Sequence, residues 1–298
     1  MKSRRMETDA MTIQEVIDKI LAYHPAIMRY TGCDEFKCGN PKAECTGIVT
    51  AMDATVNVVK KAAELGANLI IVHEPTNYTS SDRPGWYEDF KNDVFAEKWK
   101  LLSDNGIAVW RDHDHLHMQQ PDGIFSGVLK NLDWFDYAEA DRSMGMFTHF
   151  IVTLPKEKET TLQKLLQQLK DTIGLNGIRY IGPSDMPVRK LAVVGHLFPG
   201  SMKERNHGGE PKEYSVEIIR YFEEQGVDVI LPGETNDWTV LSYVRDAVQL
   251  GQNKAVVTLG HFNWEEMGMR YAKEWVEELV GPGLTVTYVP TEDMYNYF

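Results

Sequence analysis

The chain has 298 residues, a formal net charge of −13 at pH 7 and 43% hydrophobic residues, a length that allows one large domain or two ordinary ones. No apolar run approaches the roughly 18 residues needed to span a bilayer, and the opening MKSRRMETDAM has no apolar segment behind its basic residues, so we expect a soluble, cytoplasmic protein without a membrane partner. The negative charge argues against general nucleic-acid binding, which needs a basic face.

The three cysteines, Cys33, Cys38 and Cys45, all fall within TGCDEFKCGNPKAEC. Their gaps of four and six residues and the lack of a fourth thiol do not match a zinc knuckle. An odd number of cysteines also argues against a disulfide framework. We therefore expect these thiols neither to bind metal nor to cross-link the chain.

Helical and strand periods alternate along the first half, which predicts an α/β protein. The predicted elements are, in order, the helix MTIQEVIDKILAYH, the strand TGIVTAMD, the helix TVNVVKKAAELG, the strand ANLIIVHEP, the helix FKNDVFAEKWKLLSDNG and the strand GIAVWR. A junction is expected around residue 145, in DRSMGMF, and it divides the chain into lobes of residues 1–140 and 141–298.

The second half repeats the alternation. Its predicted strands are FTHFIVTL, RKLAVVGH, VDVILPGE, NKAVVTLGH and LTVTYVP, and its predicted helices are TTLQKLLQQLKDTIG, EYSVEIIRYFEEQG, DWTVLSYVRDAVQLG and WEEMGMRYAKEWVEELV. Ligands of open α/β sheets gather at the carboxyl ends of the strands. Potential metal ligands follow five predicted strands: His73 with Glu74, the run from His113 to His117, His196, Glu234 and His261.

The segment WRDHDHLHM places histidines at positions 113, 115 and 117. An extended backbone would put all three on one side, whereas a helical turn would align only His113 with His117. Neutral imidazoles are good ligands for zinc, iron, nickel or manganese, and Asp112 and Asp114 are candidate partners that fix the imidazole tautomers. A solvated polar loop is the alternative interpretation.

His261 and Glu265 are four residues apart at the start of a predicted helix, so both project from one face and can share one cation. The alternative is a histidine at the helix entry beside a solvated acid. Together the histidines and carboxylates suffice for two divalent cations, the usual equipment of metal-assisted hydrolysis. The sequence contains no GxGxxG after a strand, no Walker phosphate loop and no GxSxG elbow.

Four segments in their order along the chain resemble the Nif-three-like family of dinuclear metal-centre proteins, whose members carry the name GTP cyclohydrolase I type II homologue. These segments are GIVTAMDATVNVVKKAAELGANLIIVHEP, GIAVWRDHDHLH, GETNDWTVLSYV and VTLGHFNWEEMGMRYAKEWV, followed by VTYVP. The GHxxxE element is the most specific part. The resemblance covers most of the chain.

The resemblance implies a set of metal ligands: His73, Glu74, His113, His117, His261 and Glu265. Two positions depart from the family pattern, because Glu74 stands where a second histidine is usual and His117 stands where an aspartate is usual. The exchange preserves the total ligand charge, and it also raises the alternative that one site is weak or empty.

The resemblance further implies two α/β layered lobes with mixed sheets, a metal site in the cleft between them, and a homohexamer. Asp53 and Glu234 match acids of the family; Asp53 has the alternative role of an N-cap for the next helix, and Glu234 is a candidate general base or orienting residue.

The leading hypothesis is a metal-dependent hydrolase with two divalent ions (zinc, iron, manganese or nickel) that acts on a nucleotide-like or phosphorylated small molecule. Glu234 and Glu74 are the candidate catalytic residues for proton transfer. The alternative hypothesis is a non-catalytic metal-binding scaffold or metallochaperone-like ring. A metallo-β-lactamase-like site is disfavoured, since the Asp-His ending that HxHxDH requires is missing after HDHL.

Overall fold

The structure is a computed structural model that describes residues 10–143, 149–197 and 199–298. The junction predicted around residue 145 lies outside the described residues. The α-helices are α1 (Ile13–Tyr23), α2 (Val56–Glu64), α3 (Asp93–Asp104), α4 (Asp114–His117), α5 (Gly123–Asn131), α6 (Leu162–Ile173), α7 (Tyr214–Glu223), α8 (Val240–Gln249) and α9 (His261–Val280).

The β-strands fall into two larger sheets and two short pairs. They are β1 (Phe36–Cys38), β2 (Ile48–Ala51), β3 (Leu69–Val72), β4 (Ala108–Arg111), β5 (Ala138–Asp141), β6 (His149–Thr153), β7 (Thr160–Thr161), β8 (Arg179–Ile181), β9 (Pro187–Val188), β10 (Lys190–Val194), β11 (Ser201–Arg205), β12 (Pro211–Glu213), β13 (Val229–Pro232), β14 (Ala255–Thr258) and β15 (Val286–Tyr288). The α/β class with mixed sheets that the sequence predicts is confirmed.

Two compact units emerge from the contacts within the chain. The first unit comprises Met1–Gly127 and Gly268–Thr291, and the second comprises Val128–Met267 and Glu292–Phe298. The division passes through α5 and α9, so the first residues of α9 belong to the second unit. The boundary expected at residue 140 stays a prediction.

The first unit contains a five-stranded sheet in the order β1-β4-β3-β2-β15. The strands β15, β2, β3 and β4 are parallel, and β1 pairs with β4 in the antiparallel sense. Because β3 and β4 are parallel and Val72 pairs with Arg111, the residues after both strands meet at the same edge of the sheet. That edge carries His73, Glu74 and the segment beginning at Asp112.

The core of the first unit forms where the parallel strands pack against α2 and α3. It contains buried side chains from strands and helices, among them Val49, Ile70, Val109, Val58 and Leu102. The strands are buried on both faces, which explains why they read as continuous apolar runs rather than as alternating patterns. This core fixes the strand ends on which the polar residues sit.

The second unit contains a six-stranded sheet in the order β5-β6-β10-β13-β14-β8. The strands β10, β13 and β14 are parallel, while β6 and β8 flank them in the antiparallel sense. The carboxyl ends of the three parallel strands lead to His196, Glu234 and His261. The core of the second unit packs α7 and α8 against these strands and includes Ile218, Tyr221, Val244, Ile230 and Val256.

A glycine allows the close approach of the loops that follow β10 and β13. The Gly233 N–H donates to the Gly195 carbonyl oxygen at 2.6 Å. A Cβ added at Gly233 would lie 2.4 Å from that same oxygen and 2.9 Å from His196 Nδ1. A side chain at position 233 would therefore push apart the two loops that carry His196 and Glu234. Among the residues described, no helix has the length and apolar character to cross a membrane.

Candidate metal centre

Three imidazoles converge at the carboxyl edge of the sheet in the first unit. His73 follows β3, His113 precedes α4, and His117 ends α4. One potential ligand atom from each of these residues lies within 4.8 Å of the other two, and we call them the histidine cluster. The rings of His73 and His113 are stacked, with centroids 4.5 Å apart, and His117 meets both rings edge-on.

Each imidazole of the histidine cluster contacts an oxygen acceptor through Nδ1. His73 Nδ1 lies 3.1 Å from the Asp112 carbonyl oxygen. His113 Nδ1 lies 2.8 Å from Asp114 Oδ1, and His117 Nδ1 lies 2.8 Å from Asp122 Oδ2. Carbonyl and carboxylate oxygens only accept hydrogen bonds, so this assignment puts the proton on Nδ1 and the lone pair of the neutral ring on Nε2. Such partners are characteristic of metal-ligating histidines.

The charge states around His113 favour ligation. Burial, together with the neighbouring His73, lowers the pKa of His113, so its neutral form predominates at pH 7. The hydrogen bond from His113 holds the pKa of Asp114 well below its usual range. Asp114 Oδ2 also accepts the hydroxyl of Tyr30 at 2.8 Å. The carboxylate is therefore ionised and held in place beside the imidazole that it orients.

Cys33 lies on the Asp114 side of His113. Potential ligand atoms of Cys33, His113 and Asp114 fall within 4.8 Å of one another. Burial raises the pKa of the Cys33 thiol to about 12, with Asp34 and Asp114 adding to the rise. The thiol is therefore protonated at neutral pH. All three cysteines are free, which agrees with the expectation that they do not cross-link the chain.

The segment after β4 forms the helical turn α4, so the helical alternative for HDHLH is correct. The His117 N–H donates to the His113 carbonyl oxygen at 3.1 Å. His115 is buried and its Nδ1 lies 2.7 Å from Asp34 Oδ2. Asp34 also accepts the backbone N–H groups of His113, Asp114 and His115, at 2.8 to 3.0 Å. His115 thus helps to anchor the turn and lies outside the histidine cluster.

Glu74 is buried beside a guanidinium group. Glu74 Oε2 lies 3.5 Å from Arg111 Nη2, and Glu74 Oε1 lies 3.9 Å from His113 Nε2. Arg111 Nε also donates to the His73 carbonyl oxygen at 2.9 Å. Arg111 therefore ties together two neighbouring predicted ligands.

The two aspartates that the sequence singled out near this edge have other partners. Asp112 Oδ2 lies 3.0 Å from Nε2 of the buried His24, so its side chain does not orient the histidine cluster, although its carbonyl oxygen does. The N-cap of α2 is Thr55, whose side chain accepts the Val58 N–H, so the alternative N-cap role of Asp53 is wrong. Burial raises the pKa of Asp53 to about 6.

A second group of potential ligands lies in the second unit. His196, His261 and Glu265 each offer an atom within 4.8 Å of the others, and we call them the His261 cluster. His261 Nε2 lies 3.0 Å from Glu265 Oε2, and its Nδ1 lies 3.5 Å from Glu234 Oε1. The Glu265 side chain is 1% exposed, whereas the Glu234 side chain is 69% exposed.

His196 differs from His261 in the hydrogen bond at Nδ1. The Glu234 backbone N–H donates to His196 Nδ1 at 3.1 Å, so the neutral ring carries its proton on Nε2. His196 therefore lacks an available lone pair toward Glu265, which lies 4.0 Å away. His261 and Glu265 fit a shared cation directly, because a cation can replace the proton between them.

The donor sets fit divalent cations. Three oriented imidazoles suit zinc, copper, iron or nickel, and an imidazole with a buried carboxylate suits the same borderline metals or manganese. A zinc ion with Zn–N distances of about 2.0–2.1 Å holds its ligand nitrogens about 3.4 Å apart, so small ring rotations suffice within the 4.8 Å spread. His196 follows a predicted strand, whereas no local sequence pattern indicates the roles of Asp34 and Asp122.

Comparison with known proteins identifies the family. The family model described as Duf34/NIF3 (NGG1p interacting factor 3) matches residues 11–293. A protein of Clostridium acetobutylicum named GTP cyclohydrolase 1 type 2 homolog is 27% identical over 237 residues, covering 76% of this chain and 75% of the relative. A protein of the same name from Clostridium perfringens is 24% identical over 248 residues, with 80% and 81% covered.

Solved structures share the fold. A hypothetical protein of Staphylococcus aureus superposes with a TM-score of 0.67 at 18% identity, covering 97% of this chain and all of that chain. A Bacillus cereus protein related to NIF3 superposes with a TM-score of 0.68 at 16% identity, covering 98% and 100%. At these identities the likeness concerns the fold alone. With a family model spanning nearly the whole sequence, the chain belongs to the Duf34/NIF3 family.

Proposed function

We propose that this protein is a metal-dependent hydrolase that binds two divalent cations per chain. The histidine cluster, with Glu74 beside it, holds one cation, and His261 with Glu265 holds the other. The observation that carries the proposal is the common orientation of His73, His113 and His117, each of which contacts an oxygen acceptor at Nδ1 and so presents Nε2 as the ligand atom.

Bound divalent cations supply Lewis acidity and the activation of water. The chain itself supplies the group that accepts a proton, and we assign this role to Glu234. Its carboxylate is exposed and lies 3.5 Å from His261 Nδ1, so it can take up a proton next to a predicted ligand and release it to solvent. Glu74 is the second candidate, but its contacts with Arg111 suit a ligand or an orienting group better.

The names of two relatives support a proposal for the substrate class. Both Clostridium proteins carry the name GTP cyclohydrolase 1 type 2 homolog, which refers to a nucleotide. We therefore propose a nucleotide-like or phosphorylated small molecule as the substrate of this chain.

Metal analysis tests the binding of cations. Protein purified without chelators is analysed by inductively coupled plasma mass spectrometry, and we expect about two metal ions per chain. His117→Ala and His261→Ala should each lose about one ion. His207→Ala, at an exposed position between β11 and β12, is the matched control and should keep the wild-type content. Wild-type protein without metal, or two ions retained in both ligand variants, would overturn the proposal.

Turnover tests the hydrolase. Zinc-, manganese- and iron-loaded protein is assayed against a panel of nucleotides and phosphate esters. Glu234→Gln should keep its metal and lose about 100-fold or more of the activity, as expected for removal of a general base. If the wild-type protein keeps two ions and turns over no member of the panel, the non-catalytic scaffold replaces the hydrolase.

The oligomeric state is a separate proposal. We propose a homohexamer from the family resemblance. Light scattering coupled to size exclusion should then give a mass about six times the 34.0 kDa of the chain. The mass of a monomer or dimer would refute it.

A further inference from the structure

A pocket of about 360 Å³ opens beside the His261 cluster in the second unit. Its volume is within the range of small-molecule binding sites. Glu234 and His261 line part of the pocket, which brings it to the proposed proton acceptor and to a predicted metal ligand. A molecule bound in this pocket can therefore reach both residues.

The segment Glu292–Phe298 forms one side of the pocket, and Asp293 anchors it. Asp293 Oδ2 accepts the Asn176 N–H at 2.9 Å, and Asp293 Oδ1 lies 3.3 Å from Asn263 Nδ2. The Tyr295 carbonyl oxygen accepts Asn176 Nδ2–H at 2.9 Å. Asn263 lies in the first turn of α9, two residues after His261. The bond with Asn263 ties the segment to the helix that carries the predicted ligands, and the two bonds with Asn176 tie it to the loop between α6 and β8.

Two tyrosines and one arginine are among the residues that line the pocket. They are Tyr295, Tyr297 and Arg179. The Tyr297 ring packs on Gly177, where an added Cβ would lie 2.9 Å from the ring atoms. Burial raises the pKa of the Tyr297 hydroxyl, and the positive charge of Arg179 acts in the opposite direction. Tyr297 and Arg179 both line the pocket.

The lining indicates the chemistry of the ligand. A guanidinium group binds phosphate or carboxylate through paired N–H donors, and tyrosine faces stack on planar rings. We infer that this pocket binds a small molecule that combines a planar ring with an anionic group, with the anion on Arg179 and the ring against Tyr295 and Tyr297. Glu292–Phe298 is then the segment that contacts the ring of the ligand. The inference rests on the proposed function, because the pocket shares Glu234 and His261 with it.

Calorimetry with intact and fragmented probes tests the inference. Three probes combine a planar ring with an anion: adenosine 5′-monophosphate, guanosine 5′-monophosphate and indole-2-carboxylate. Three fragments lack one of the two parts: adenosine and guanosine have no anion, and ribose 5-phosphate has no planar ring. We expect at least one ring-plus-anion probe to bind, and each fragment to bind about tenfold more weakly or worse. Binding of a nucleotide and not of indole-2-carboxylate identifies the anion as phosphate, and the reverse identifies it as carboxylate.

Variants assign the binding to the pocket. Arg179→Met and Tyr297→Ala should each weaken the binding about tenfold or more. Arg245→Met, which removes an exposed guanidinium group from α8 outside the pocket lining, is the matched control and should bind as the wild type does. Circular dichroism checks that each variant is folded. The inference is overturned if no probe binds, if ribose 5-phosphate binds as tightly as the nucleotides, or if folded Arg179→Met binds like Arg245→Met.

Measurements on metal-stripped and zinc-loaded protein separate the two failures. If protein purified without chelators contains no metal but binds a probe in a manner that depends on Arg179, the pocket is supported while the proposed function fails. Two metal ions per chain with no probe binding would overturn the pocket while the metal centre stands.

Discussion

Replacement of Asp53 by asparagine should change how the stability of the protein depends on pH. The Asp53 carboxylate follows β2 in the first unit, and its Oδ1 atom is buried without a hydrogen-bond partner among the described residues. Burial raises the pKa of Asp53 from 3.8 to about 6, although the positive charge of Lys98 acts in the opposite direction. The ionised carboxylate is therefore less stable in the folded protein than in the unfolded chain.

The size of the effect follows from the two pKa values. A rise from 3.8 to about 6 corresponds to about 3 kcal/mol at 1.36 kcal/mol per pH unit. Because the folded state binds this proton more tightly, the contribution to the free energy of unfolding is fully present below about pH 4. It is lost as the pH rises through about 6. An asparagine at this position has no proton to lose, so its contribution to the free energy of unfolding does not change with pH.

Urea unfolding of chelator-stripped protein between pH 4 and pH 7 measures the difference. The free energy of unfolding of Asp53→Asn minus that of the wild type should increase by about 2.5 kcal/mol from pH 4 to pH 7. Asp18→Asn, an equal change of charge at an exposed position of α1, is the control for the loss of one carboxylate. A difference that stays constant within about 0.5 kcal/mol over this range would refute the reasoning about burial.

Three further substitutions test the surroundings of the histidine cluster. Asp122→Asn keeps an oxygen for the Phe125 N–H but removes the carboxylate at His117, so zinc affinity in a chelator competition should fall about 10- to 100-fold. Asp34→Ala removes the buried acceptor of three N–H groups and should lower the free energy of unfolding in urea by about 3–5 kcal/mol. Gly39→Ala places a Cβ 2.3 Å from Ala108 Cα at a φ of +92°, and should lower it by about 1–3 kcal/mol or more.

Each of these three predictions would be contradicted by a different result. Unchanged zinc affinity in Asp122→Asn would show that the tautomer of His117 does not matter for ligation. A loss below about 1 kcal/mol in Asp34→Ala would mean that water replaces the carboxylate. Wild-type stability in Gly39→Ala would mean that β1 moves away from β4 without penalty.

The strand order made part of the site predictable from the sequence. Parallel strands deliver the residues after them to one edge, so His73 and His113 could be expected to be neighbours once β3 and β4 were recognised. The four-residue spacing of His261 and Glu265 predicts their contact equally well, and the structure gives 3.0 Å between them. These contacts could be predicted because hydrophobic periodicity and residue spacing are visible within short segments of a single sequence.

The partners that orient the ligands could not be predicted in the same way. Asp34 lies 81 residues before His115 in a segment notable only for its cysteines, and its role depends on the pairing of β1 with β4. Asp122 is five residues after His117, but no helix or strand period connects them. The contact of Arg111 with Glu74 likewise follows from the register of β3 and β4, which a single sequence does not reveal.

The carboxylate of Asp34 has a consequence for how the protein matures. It stands two residues before β1, an edge strand of only three residues that is held to its sheet from one side. Until that strand docks, the Asp34 carboxylate is not held where it accepts the N–H groups of His113 and Asp114, at the start of the turn that carries His113 and His117. Acquisition of metal by the newly made chain should therefore follow the docking of a short peripheral strand. Substitutions in residues 34–38 would then produce a protein with little bound metal although all of its predicted metal-ligating residues are intact.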